Sequence, residues 1–330
     1  MDSTSAWMIS ILAAVIPTIV YVLVLWWFDR YEREPRRLLL SAFFWGALPA
    51  VILAVVAEEV LGSPAGALGE MGSELVSSSF FAPMIEELAK GLAVFAIFLL
   101  FRREFDGVLD GIIYGATIGF GFAMTENVFY FMSSLDKSGV EGLTFVVLMR
   151  AVVFGLNHAL FTSVFGAALG YARTARAGGQ RALVPMLGLL VAMFLHGLHN
   201  LFAVLTSITC FSLLLGLISD WAGVLVIFVV MALAWQQEKR WISTHLKPEV
   251  DNGLLTQEEY DMIRSYRNRV IARWQAWSRL ERSTARRLSK LSQLATELAF
   301  KVEQGDERSA QKLRAQIAAL RGMPAAAQRQ

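Results

Sequence analysis

Cysteine is almost absent. Cys210 stands alone among 330 residues, so the chain can form neither an internal disulfide nor a multi-thiolate metal site. No HExxH zinc motif, no nucleic-acid-binding motif and no internal repeat of fixed period is present, which removes the simplest metalloprotease signature and any motif-based reading as a nucleic-acid binder. Lys and Arg are missing from whole segments: 58–79 has none, and 133–142 has only Lys137. The first apolar stretch, 7–28, follows Asp2 with no preceding Lys or Arg. It therefore lacks the basic leader of a cleaved signal and is expected to be a retained first helix.

What is present is apolar length. Hydrophobic residues make up 55% of the chain and mean hydropathy is +0.50, well above the need of one soluble core. Runs close to the ~20 residues that span a bilayer fall at about 7–28, 38–60, 80–101, 108–131, 146–171, 183–206 and 211–235. The expected fold is an all-α polytopic membrane helix bundle of about seven transmembrane helices, with a C-terminal helical cytoplasmic tail. The expected boundary separates a membrane domain, 1–237, from an amphipathic tail, 238–330. That tail holds 18 Lys and Arg against 11 Asp and Glu, or +7, so the total of +2 leaves −5 for the remainder. A basic tail suits anionic lipid.

The connections alternate in charge. Four Lys and Arg lie in 29–37, two in 102–106 and three in 172–181, against almost none in the intervening set. The positive-inside rule then puts the N-terminus outside and the C-terminus in the cytoplasm, with the bacterial cytoplasmic membrane as the expected location. In the tail, Thr256 and Glu259 form a capping box, and Leu288, Leu291, Leu294 and Leu298 form a helical stripe.

Ionisable groups inside spans cost ~2.5–3.5 kcal/mol each on insertion scales and need a reason. Span three carries Glu86, Glu87 and Lys90, span four Glu126 and Asn127, span five Asn157 and His158, and span six His196, His199 and Asn200. At ~1.5 Å per residue, Glu86 lies ~9 Å below its outer boundary, and Glu126, His158 and His196 fall at comparable depth. A shared polar cavity in the outer half explains that level. Asp220 and Arg150 are expected at interfaces, Arg150 marking the outer start of the fifth span. Glycines such as Gly115, Gly119, Gly121, Gly166 and Gly197 permit close helix approach.

Four segments carry a resemblance: EELAK at 86–90, FAMTEN at 122–127, HALFTS from His158 followed by Gly166, and HGLHN at 196–200. Their order and types resemble the PrsW family of intramembrane proteases, within a wider group that includes CAAX prenyl endopeptidases and bacteriocin-processing relatives. The resemblance covers roughly 80–205, the core motifs. It implies an intramembrane endopeptidase, with a single-span membrane protein such as an anti-sigma factor as the expected substrate; the shared depth of the polar residues puts the expected cut near the extracytoplasmic side.

Peptide hydrolysis needs an activated water, an acid for the leaving amine and donors for the oxyanion. Glu86 or Glu87 is the expected base, His158 or Glu126 positions the water, and His196 and Asn200 stabilise the oxyanion. The alternative is a zinc site ligated by Glu126, His158 and His196, with His199 as substitute for His196. A non-catalytic scaffold of the same fold and a proton-coupled transporter are the rival classes.

Overall fold

The computed structural model describes residues 3–29, 33–61, 69–175 and 178–322, and every regular element among them is helical. The first helix, α1, is Ser3–Phe28. Pro35, at φ −58° and with no N–H to leave unpaired, precedes α2, Arg36–Trp45. This helix runs through a π-helical turn at Gly46–Ala50, which contains Pro49, into α3, Val51–Leu61. After α4, Gly69–Val76, a second π turn at Ser77–Phe81 leads into α5, Ala82–Leu100.

The longest elements follow. α6, Val108–Val147, starts where the Asp110 carboxylate accepts hydrogen bonds from the backbone N–H groups of Asp106 (2.9 Å) and Gly107 (2.6 Å). It kinks at Gly139, whose φ of +66° suits glycine. A π turn at Leu148–Val153 ends the segment, and α7 restarts at Asn157–Thr174. α8 is Gly178–Leu205 and α9 is Cys210–Asp251.

By length and composition, five described stretches can cross a membrane: Thr4–Phe28, Arg36–Val60, Val108–Thr174, Gly178–Leu205 and Cys210–Asp251. Their outward surfaces are apolar, with Leu12, Ile16, Ile19 and Leu23 exposed along α1 and Leu225, Val226 and Val229 along α9. A solvated helix would not sustain such a surface, and the protein is an integral membrane protein. The sequence reading differs at two places. α5 is more charged than the other runs because Glu86, Glu87 and Lys90 fall within it, and the run at 146–171 is not one helix. Its chain leaves helical geometry around Phe154–Leu156, so His158 occupies the first turn of α7 rather than a position two turns into a helix that begins at Arg150.

Glycines set the α6–α7 spacing. A Cβ on Gly111 would lie 2.0 Å from the Gly166 carbonyl oxygen, and one on Gly119 would lie 2.3 Å from that of His158. The backbones are thus nearly in contact, as small residues allow between membrane helices. The same device brings α8 to the 77–81 turn, where a Cβ on Gly197 would meet the Ser79 carbonyl at 2.3 Å. Around these contacts, Val94, Phe105, Tyr114, Ile118 and Leu169 form a buried core.

The chain divides near residue 231 into two compact units. In the second, the end of α9 packs with α10 (Gln257–Ile263), α11 (Tyr266–Ser278), α12 (Arg282–Glu303) and α13 (Glu307–Leu320). Its core includes Ile242, Leu246, Leu255, Leu294, Leu298 and Ile317. Thr256 and Glu259 exchange both capping hydrogen bonds, at 2.8 and 3.1 Å.

Candidate active site

α5 supplies two adjacent carboxylates, and adjacent residues on a helix point ~100° apart. Glu87 turns inward, 1% exposed as a side chain. Its Oε1 lies 2.6 Å from Lys90 Nζ and 3.0 Å from His196 Nδ1. Its other oxygen accepts a 3.1 Å hydrogen bond from the Thr162 hydroxyl on α7. Three helices therefore hold Glu87 in place. Glu86 faces a cavity of about 730 Å³ whose walls also include Phe122, Glu126, Arg150, His158 and Asn200.

The two inner histidines are held from behind. His158 Nε2 lies 2.8 Å from Glu126 Oε2, which also accepts a 2.6 Å bond from Arg150 Nη2. Arg150 Nε donates to Asn127 at 2.8 Å, so one guanidinium ties both polar residues of FAMTEN to the π turn before α7. His196 is held through Nδ1 by Glu87, and its ring stacks on Phe161 with centroids 4.8 Å apart. Each imidazole thus keeps one nitrogen on a carboxylate and directs the other inward. Glu86, His158 and His196 each offer one ligand atom, all within 4.8 Å of one another. Lys90, fully buried, adds its ammonium 3.5 Å from Glu86 Oε2 and 3.2 Å from His158 Nδ1.

The remaining sequence-derived residues sit around this centre. Asn200 lines the cavity, and its Nδ2 donates to the Ser78 carbonyl at 2.8 Å, tying α8 to the 77–81 turn. Glu126 stands behind His158; the carboxylate that joins His158 and His196 in a compact donor set is Glu86. His199 is directed elsewhere. Its Nδ1 lies 2.7 Å from Asp220 Oδ2 on α9, and Asn157 Nδ2 donates to the same oxygen at 2.8 Å.

Asp220 is 3% exposed and buried beneath that pair. Its position inside an apolar run was the available signal; the partner lay on another helix. Arg150 likewise lies in the π turn against Glu126 instead of starting a helix. His158, His199 and Arg150 also line a second cavity of about 200 Å³ with Asn157 and Ser212.

With this geometry in view, the chain belongs to the PrsW family of intramembrane metalloproteases, whose family model matches residues 34–235. It is 30% identical over 193 residues to Protease PrsW of Geobacillus kaustophilus, covering 57% of this chain and 76% of that protein. It is 29% identical over 209 residues to Protease PrsW of Oceanobacillus iheyensis (63% and 88%), and 30% identical over 192 residues to that of Bacillus subtilis (57% and 79%). No solved structure matches the chain.

The donor set fits the metal that the family name implies. Two histidines and a carboxylate are a familiar zinc set, and ligating histidines commonly place their second nitrogen on a carboxylate, as Glu87 and Glu126 allow here.

Proposed function

We propose that the protein is an intramembrane endopeptidase that hydrolyses a peptide bond of a single-span membrane protein near the extracytoplasmic side. The observation that carries this reading is the convergence of Glu86, His158 and His196 beside a cavity, each from a different helix and two of them braced by further carboxylates. Such bracing fixes geometry before substrate arrives.

Glu86 is the group placed to take a proton from water as its oxygen attacks the scissile carbonyl, and to return it to the leaving amine. His196 holds that water through its inward Nε2, while His158, whose Nδ1 accepts from Lys90, fixes the ammonium beside it. Asn200 and Arg150 line the cavity as amide and guanidinium donors for the developing oxyanion. If zinc binds, Glu86, His158 and His196 would hold it, and the ion would supply Lewis-acid polarisation of the carbonyl. Glu87 and Lys90 then keep the inner wall compact.

In this reading residues 1–237 are the membrane protease domain and 238–330 a cytoplasmic tail. The N-terminus lies outside a bacterial cytoplasmic membrane, as the alternation of Lys and Arg among the connections supports. The substrate is a single-span signalling protein of the anti-sigma-factor kind. The test is cleavage of a library of single-span peptides by purified, reconstituted protein, comparing wild type with E86A and E87A and with chelator-treated enzyme. Products from wild type alone support the reading. A wild-type enzyme that cuts no member of the library, or an E86A variant as active as wild type, defeats it.

A further inference from the structure

The hairpin of α11 and α12 carries a surface that the proposed proteolysis does not use. Trp274 is 68% exposed, Trp277 65% and Leu280 81%. Val270 and Ile271 are exposed on the same helix. Tryptophan covers more apolar area than any other side chain, and two exposed one turn apart are unusual on a fully solvated helix. Leu280 caps the tip in the left-handed region, at φ +60°, the one described non-glycine residue with positive φ. The backbone there accepts strain while presenting a large aliphatic group outward.

Charge accompanies these residues. Between 267 and 293 there are eight Lys and Arg against Glu281 alone. Only Arg269 among the eight is buried, where it donates to the Ile263 carbonyl and to Thr296. A groove between the two helices is lined by Trp274 and Trp277 together with Arg273, Arg282, Arg286 and Lys290, and by no acidic residue.

We propose that the α11–α12 hairpin is a docking surface for the anionic lipid bilayer, with Trp274, Trp277 and Leu280 entering the interfacial layer and the groove's Arg and Lys residues binding lipid phosphates. Tryptophan favours the headgroup level because its ring is apolar and its indole N–H is polar. Basic side chains around it gain from the negative surface potential of the leaflet, over a distance that salt shortens. The bilayer is the partner because the hairpin belongs to the same chain as a membrane domain, joined to it through α9, which carries apolar residues such as Leu225 and Val226, and because the groove's charge is complementary to anionic lipid. Acidic proteins or a second copy would have to be recruited. This surface is independent of the proteolytic reading and stands or falls separately.

The experiment uses the full chain in nanodiscs. On a Cys210→Ser background, Leu280→Cys is labelled with an environment-sensitive fluorophore, and discs of phosphatidylglycerol are compared with discs of phosphatidylcholine. The expected result is a blue shift and loss of acrylamide quenching in phosphatidylglycerol, reversed by high salt and abolished by W274A/W277A and by R282E/R286E. Equal emission and quenching in the two lipids overturn the proposal, whatever the variants do. Protection that appears only when discs contain two protein copies also overturns it and assigns the face to self-association.

Discussion

His158 and Arg150 share one carboxylate: Glu126 Oε2 lies 2.8 Å from His158 Nε2 and 2.6 Å from Arg150 Nη2. The histidine sits in the first turn of α7 and the arginine in the π turn before it, so Glu126 spans the break in that run. E126Q keeps the size of the side chain but weakens its hold on both. Turnover should fall ~10–100-fold, as for other groups that orient a ligand or base from behind, with a smaller change in KM. An E126Q enzyme with wild-type kcat would show that His158 needs no such support.

The two glutamates of α5 should separate cleanly. E86Q removes the carboxylate beside the cavity and is expected to abolish cleavage while thermal unfolding in detergent stays near wild type. E87Q leaves Lys90 and His196 facing a neutral amide inside the protein, so it should lose stability as well as activity. Thermal scans paired with a cleavage assay decide it; identical behaviour of the two variants contradicts the division of roles.

Asp220 should act through His199 and Asn157. D220N leaves a hydrogen-bonding amide but removes the charge, with an expected loss of roughly 1–3 kcal/mol of stability. The discriminating measurement is a double-mutant cycle with H199Q. Additive losses from two residues 2.7 Å apart would mean that the contact contributes nothing.

Helix spacing gives a prediction away from the polar groups. Gly119→Val must push α7 away at His158, at a cost of about 1–3 kcal/mol for overpacking, and should reduce activity further than that loss of stability explains. Gly178→Ala is the control, because a Cβ there meets nothing within 4 Å. Equal effects of the two substitutions would remove the backbone approach as the cause.

Orientation is testable with cysteines. On a Cys210→Ser background, thiols at Ser78 and Ser134 should react with an impermeant reagent added outside intact cells. Labelling that requires disrupted membranes would reverse the proposed topology.

Much of this architecture is legible in the sequence. The long apolar runs marked α1, α8 and α9 because a bilayer imposes a length on whatever crosses it, and the capping box at Thr256 is local chemistry. Common depth was enough to gather Glu86, Glu126, His158 and His196. What sequence could not show was direction. Whether Glu86 or Glu87 meets the cavity depends on the rotation of α5, fixed by Lys90, Thr162 and His196 across three helices. The break around Phe154–Leu156 was hidden because a π turn and a loop built from Val, Phe and Leu need not differ in hydropathy from a helix. The partners of Asp220 were hidden as well, because His199 and Asn157 come from other helices.

The charge content of α5 bears on how the protein is made. Glu86, Glu87 and Lys90 keep this helix from being apolar enough to enter lipid as readily as its neighbours, and although Lys90 pairs with both carboxylates within α5, their further hydrogen-bond partners, Thr162, His158 and His196, are synthesised afterwards. During biogenesis α5 is therefore expected to become a stable part of the bundle only once α7 and α8 are present. Nascent chains that end before Asn157 should leave α5 extractable or open to protease, whereas chains extending beyond Leu205 should not; protection of α5 in the shorter chains would show that it inserts unaided. The residues proposed to cut a peptide bond would then come together only when the membrane domain is nearly whole, which keeps an unfinished chain from acting as a protease.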